Sequence, residues 1–136
     1  MKVLVDTCVW SCALRHKNPN VEIEIQLKEI IKDGRLVIIG PIRQEILSGI
    51  SKETQFESLK EHLSPFEDAP LTSNHFIKAA EFCNLCMKKG IQGSNTDFLI
   101  CSVAYLENLE IFTTDLDFKN YKKYLPIELF EIAKER

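Results

Sequence analysis

Val3-Leu4-Val5-Asp6-Thr7 opens the chain with three consecutive apolar residues that run straight into a carboxylate and a hydroxyl. Successive side chains of a strand point to opposite faces, so an unbroken apolar run suits a strand covered on both sides, as in a parallel sheet. The stretch therefore predicts an internal strand with Asp6 at its carboxyl end. Thr7 to Arg15 then reads as a helix with Val9, Trp10, Ala13 and Leu14 on one side, closed by the loop His16-Lys17-Asn18-Pro19-Asn20. From Val21 to Leu27 apolar and polar residues alternate as in a strand, yet Ile23, Leu27, Ile30 and Ile31 also repeat as on a helix stopping at Asp33-Gly34. The longer pattern decides for helix.

Leu36 to Ile39 gives a second buried strand, ended by Gly40-Pro41. Proline suits the first turn of the helix that follows through Ile42, Glu45, Ile46, Leu47 and Ile50. Lys52 to Leu63 makes a second, more polar helix, broken at Pro65. Ser73 is expected to cap a long helix with Phe76, Ala79, Ala80, Cys83, Cys86 and Met87 on one face and its stop at Gly90. Ser94-Asn95-Thr96-Asp97 opens another helix, apolar nearly all round through Leu106 and hence central. Ile111-Phe112-Thr113 is a third strand, Leu116 to Tyr124 a brief turn or helix, and Ile127 to Phe130 a last edge strand. Strands alternating with helices predict an α/β fold, a three-layer sandwich around a central, mostly parallel sheet of four to five strands. Such sheets take their ligands beyond the carboxyl ends of the strands.

The 136 residues match the commonest size of one domain, so residues 1-136 are expected to form a single one. An apolar share of 45% is too high for a disordered chain. The net charge of -3 means that the molecule as a whole does not attract phosphate backbones, so any nucleic-acid contact must be local. Lys88-Lys89 and the trio Lys119, Lys122 and Lys123 are the candidate patches, though a pair or trio of lysines is more often a solvated face. The first carboxylate, Asp6, arrives too early for a signal-peptide core, and no apolar run approaches the roughly 20 residues that span a bilayer. A cytoplasmic protein without a membrane segment is expected. Cys8, Cys12, Cys83, Cys86 and Cys101 read as buried thiols, and the C-x-x-C of Cys83 and Cys86 lies mid-helix with no second pair or nearby His to complete a zinc site.

Each acidic residue at a strand or helix boundary has a plain structural explanation. Asp6 and Asp115 suit N-caps, Ser94 to Asp97 resembles a capping box, and Glu45 suits a solvent-facing helix position. The joint pattern says more. Asp6 and Asp115 directly follow buried strands, Glu45 sits in the helix after another, and Asp97 lies in the first turn of the central helix. The four can converge on one edge of the sheet, where like charges repel and at least one carboxylate keeps its proton unless a cation intervenes. Oxygen donors without nearby His or Cys favour Mg²⁺ or Mn²⁺ over zinc. Such an ion activates water and neutralises charge on a departing phosphate oxygen, so the pattern points to metal-dependent phosphodiester hydrolysis. His16, His62 and His75 lie in separate segments and form no evident acid-base pair.

The segments Val3-Leu4-Val5-Asp6-Thr7, Pro41-Ile42-Arg43-Gln44-Glu45-Ile46-Leu47-Ser48-Gly49, Thr96-Asp97-Phe98-Leu99-Ile100 and Phe112-Thr113-Thr114-Asp115-Leu116-Asp117-Phe118 resemble, in order and spacing, the PIN-domain ribonucleases. The resemblance covers almost the whole chain, and a domain of this size without additions is most similar to the VapC-type toxins of toxin-antitoxin pairs. It implies that Asp6, Glu45, Asp97 and Asp115 are the four acidic positions that hold one or two Mg²⁺ or Mn²⁺ ions. It implies that Thr113 supports the site by hydrogen bonding and that Asp117 is a ligand or an outer partner, with Thr7 beside Asp6. It further implies an RNA substrate, a homodimer, and a cognate antitoxin that wraps the toxin. Cys8 stands where many relatives carry serine, and the stretch before Asp97 is more polar than usual.

Two other readings stay open at this point: a nuclease of RNA processing or repair with no toxin role, and a non-catalytic module whose acids attract basic partners. A phosphatase of the haloacid-dehalogenase type needs a second aspartate two residues after the first, where Cys8 stands. A response-regulator receiver wants a lysine after its last strands, and Thr113-Thr114-Asp115 offers none.

Overall fold

The computed structural model describes residues 1–16 and 19–132. Strands β1 (Val3–Val5), β2 (Leu36–Val37), β3 (Glu110–Phe112) and β4 (Glu128–Leu129) form one sheet in the order β2-β1-β3-β4, with every pairing parallel. Helices α1 (Thr7–Leu14) and α2 (Val21–Lys32) connect β1 to β2. Four more, α3 (Gly40–Leu47), α4 (Glu53–Leu63), α5 (Ser73–Lys88) and α6 (Asn95–Glu107), lead from β2 to β3, and α7 (Asp117–Lys122) leads to β4. This is the predicted α/β architecture, a parallel sheet flanked by helices. The sheet has four strands among the described residues, and an isolated parallel bridge between Ile38 and Asp68 extends its β2 edge.

Val3, Leu4 and Val5 have no exposed surface, as an apolar run in a strand covered on both faces requires. β1 lies between β2 and β3, pairing Leu4 with both Val37 and Ile111, and Val5 with Phe112. The chain leaves β1 for one neighbour and later returns to the other, which makes the β1/β3 boundary the point where strand order reverses. The backbone N–H of Asp6 donates to the Phe112 carbonyl at 2.9 Å, so this pairing carries past the strand end and sets Asp6 level with Thr113.

The remaining core is built from amphipathic helices. Ile23, Leu27 and Ile30 are the buried stripe of α2, so the helical reading of that ambiguous segment holds. In α6 every residue from Phe98 to Ala104 is buried, as its all-round apolar pattern demands, and α5 packs along it. Several boundaries differ from expectation, among them β2, expected as a buried strand over Leu36 to Ile39 but spanning only the half-buried Leu36–Val37. The N-cap of α5 is Thr72 rather than Ser73, because the imidazole of His75 reaches back and its Nδ1 accepts the Thr72 N–H at 2.9 Å. Helix α3 ends at Leu47, short of Ile50, where Gly49 adopts a φ of +76° that turns the chain away. Strand β3 ends at Phe112, which leaves Thr113 beyond the ladder with its hydroxyl free to serve the site.

Candidate metal centre

Asp6 is carried to the carboxyl edge of the sheet by β1 and is only 7% exposed. Its Oδ1 accepts the Thr7 N–H at 2.8 Å, the capping role expected of it, while its Oδ2 accepts the Thr113 hydroxyl at 2.8 Å. The Thr113 Oγ1 in turn accepts the Asp115 N–H at 3.0 Å, which fixes its own proton toward Asp6. Thr113 thus ties the ends of β1 and β3 together. Cys8 reinforces the same joint: its thiol lies 3.6 Å from Asp6 Oδ2 and 3.4 Å from Thr113 Oγ1, and its sulfur accepts the Thr114 N–H at 3.3 Å.

Asp97 comes from the start of α6, where its N–H donates to the capping Ser94 Oγ at 3.1 Å. Its Oδ2 accepts the Tyr121 hydroxyl at 2.6 Å, a distance typical of a charge-assisted bond. The Tyr121 ring is fully buried, with the centroids of Phe98 and Phe118 each 5.2 Å away. Its hydroxyl end rests on the turn before α6, and a Cβ on Gly93 would come within 2.9 Å of the ring carbon bearing the hydroxyl. A residue with a side chain at position 93 therefore cannot coexist with Tyr121 as it is seated.

Asp115 follows β3, and its Oδ1 accepts the Asp117 N–H at 2.9 Å, so a local turn presents both carboxylates together. One oxygen from each of Asp97, Asp115 and Asp117 lies within 4.8 Å of the others. The structure thus gathers two of the four acids read from the sequence and adds Asp117 to them. Asp6 stands outside this close set but beside it, joined through Thr113 and near enough to repel Asp97. Glu45 also stands outside it. Its Oε1 accepts the Thr7 hydroxyl at 2.7 Å, which links α3 to the residue after Asp6.

Electrostatics record the crowding. Burial raises the pKa of Asp6 above the ordinary carboxylate value, opposed by the hydrogen bonds from Thr113 and Thr7, while the Asp97 charge raises it further. Burial likewise raises Asp97; the Tyr121 and Ser94 bonds pull it down, and the Asp115 and Asp117 charges push it up. The Tyr121 phenol is driven well above its usual range by burial and by the carboxylate it binds, so it remains a donor. Oxygens bound to one octahedral Mg²⁺ would lie about 3.0 Å apart when adjacent and about 4.2 Å when opposite, so side chains grouped within 4.8 Å would have to draw in to share an ion. All-oxygen donors, crowded charge and raised carboxylate pKa values fit a hard dication.

Tyr121 and Gly93 were not legible as site residues. Tyr121 shares an i, i+3 helix face with Phe118, which marks it as core, but its bond to Asp97 spans 24 positions of sequence.

A PIN domain family model matches residues 3–124, and the chain belongs to that family. Comparison with curated protein sequences gives no match. Among solved structures, FitAcB from Neisseria gonorrhoeae is similar with a TM-score of 0.77 at 20% identity, covering 95% of this chain and 96% of that one. VapBC2 from Rickettsia felis, bound to a DNA fragment from its promoter, gives 0.76 at 22% identity over 96% and 98%. A toxin-antitoxin complex from Klebsiella pneumoniae gives 0.65 at 18% identity over 86% and 90%. At these identities the likeness establishes the fold.

Proposed function

We propose that this chain is a metal-dependent endoribonuclease and the toxin of a toxin-antitoxin pair. The observation that carries the nuclease reading is the close set of Asp97, Asp115 and Asp117 beside buried Asp6, at the strand-order reversal where such sheets take their ligands. The toxin role rests on likeness to chains solved in toxin-antitoxin complexes, in a domain that spans nearly their full length.

In this reading Asp6, Glu45, Asp97 and Asp115 are the catalytic acids and hold Mg²⁺ or Mn²⁺, with Asp117 as a further ligand. When bound, the ion supplies a water of lowered pKa and neutralises charge on the phosphate. The protein supplies the geometry. Thr113 fixes Asp6 against β3, Tyr121 occupies one oxygen of Asp97 and so aims the other, and Thr7 holds Glu45 toward the end of β1. No group among these is placed to act as a covalent nucleophile, so we assign direct attack by water.

The partners proposed are single-stranded RNA, an antitoxin protein and a second copy of the chain, in a single-domain cytoplasmic protein. No helix among the described residues is long and apolar enough to cross a membrane. Phe76 and Ile77 expose more than half of their surface on α5, leaving an apolar face for a protein partner. The test is RNA cleavage with Mn²⁺ or Mg²⁺, with and without chelator, by the wild type and by Asp6→Asn and Asp97→Asn. Both variants are expected to lose cleavage while staying folded. A folded Asp97→Asn protein that cuts at the wild-type rate defeats the assignment.

A further inference from the structure

Beside Thr7 and Glu45, α1 and α3 flank a cleft of about 490 Å³ most of whose polar side chains have no part in the acid centre. Along α1, Ser11 and Arg15 follow Thr7 at helical spacing and line one wall. Gln44 lines the other from α3 and Ser48 from its C-cap, and Thr96, the sequence neighbour of Asp97, lines it from α6.

The cleft is lined mostly by polar side chains, and several of its donors have no partner among the described residues. The three arginines among the described residues differ sharply. Arg35 bonds the Met1 carbonyl and lies 3.6 Å from Glu110. Arg43 is consumed by Asp68 and the carbonyls of Leu63 and Phe66. Arg15, half-buried in the cleft wall, makes no side-chain hydrogen bond and no ion pair among the described residues. The side chains of Ser11, Gln44 and Thr96 are likewise unpartnered there, whereas Ser48 spends its proton on the Gln44 carbonyl at 2.6 Å. A half-buried guanidinium held open beside hydroxyls and an amide calls for an anion with hydrogen-bonding groups near it.

We infer that this cleft seats the RNA strand next to the scissile phosphate, with Arg15 pairing to a neighbouring phosphate and Gln44, Ser11 and Thr96 bonding sugar or base. The inference rests on the nuclease reading and deepens it. It answers the charge problem posed by the sequence: a chain of net charge -3 needs a local cation, and here one stands on the wall of a cleft that also holds Glu45 and the sequence neighbours of Asp6 and Asp97. Eight residues from Thr7 to Arg15 rise about 12 Å, a reach beyond one nucleotide. The volume suits an unpaired nucleotide with its base splayed out. Glu45 shares the cleft and repels phosphate, which directs the backbone toward the Arg15 end.

The test is fluorescence anisotropy of a labelled single-stranded RNA 10-mer on metal-free Asp97→Asn protein, across a salt series. Arg15→Gln is expected to weaken binding about five- to tenfold and to reduce the slope of log affinity against log salt by about 0.7, the loss of one phosphate contact. Arg15→Lys is expected to restore the slope. Duplex RNA of equal length is expected to compete at least about tenfold less well than the single strand. With wild-type catalytic residues, Arg15→Gln is expected to raise KM for RNA and leave the Mn²⁺ dependence unchanged. Wild-type affinity and slope in Arg15→Gln, or duplex competing as well as single strand, overturns the inference while cleavage by the parent protein keeps the nuclease reading. If the parent cuts no RNA yet binding still depends on Arg15, the cleft stands and the nuclease reading falls.

Discussion

Replacing Asp97 by Asn should stabilise the metal-free protein while removing its response to metal. The amide oxygen can still accept the Tyr121 hydroxyl, and the charge assistance lost in that bond is outweighed by relief from burying a carboxylate, the larger of the two opposing effects on Asp97. Asp97 shares a 4.8 Å group with Asp115 and Asp117, and both of those are exposed, which makes the dielectric of water the appropriate one. Each like-charge pair at that distance then costs at least about 0.9 kcal/mol, so the two pairs lost with Asp97 amount to about 2 kcal/mol at low salt. Screening at 0.15 M ionic strength reduces this to about 1 kcal/mol, a rise in Tm of about 3 to 5 °C for a chain of this size. The assay is thermal denaturation followed by circular dichroism in chelator, repeated with Mn²⁺. The wild type should gain about 2.7 kcal/mol at an ion concentration one hundred times Kd, and Asp97→Asn should gain little. A metal-free variant no more stable than the wild type at low salt, or one with an undiminished Mn²⁺ response, refutes the reasoning.

The pH dependence has a definite sign. Asp6 and Asp97 are raised by folding above the ordinary value of 3.8, so the folded state binds their protons more tightly; their contribution is complete below that value and is lost as pH rises through the folded pKa values. In chelator the protein should therefore lose stability from these two groups between pH 4 and neutrality, and Mn²⁺ protection should grow over the same range; urea titrations at stepped pH in the two conditions would show the reverse slopes if this is wrong. Tyr121→Phe keeps the buried ring and deletes a hydrogen bond to a charged acceptor, for an expected loss of about 1.5 to 3 kcal/mol in metal-free urea unfolding together with weaker Mn²⁺ binding by calorimetry. Gly93→Ala drives a methyl into the Tyr121 hydroxyl and should weaken Mn²⁺ binding through the same contact. The double variant Gly93→Ala with Tyr121→Phe should then fall well short of the sum of the two, and full additivity would separate position 93 from the site.

The alternation of strands and helices, and the strand that carries Asp6, are legible in the sequence. Val3-Leu4-Val5 has no polar side chain to turn to water, so it had to be an internal strand, and Asp6 had to stand at its end. The same logic located Asp115 after Ile111-Phe112-Thr113 and buried the middle of α6 on every side. Hydrophobic periodicity is a local property and is written in neighbouring residues. Boundaries were less legible where a single side chain chose them, as His75 did in making Thr72 the cap.

Only the tertiary structure decided which carboxylates meet. Strand order sets Asp6 beside Thr113, and the turn after β3 brings Asp117 as well as Asp115 within 4.8 Å of Asp97, while Glu45 bonds the Thr7 hydroxyl outside that set. Tyr121 reaches Asp97 because α7 packs its aromatic face against the start of α6, and Gly93 leaves room for the hydroxyl. Arg15 reads as one more helix-end cation until α3 is seen to close a cleft against it. These pairings join residues distant in the chain, and the energy that selects them depends on separations that exist only once the sheet has formed.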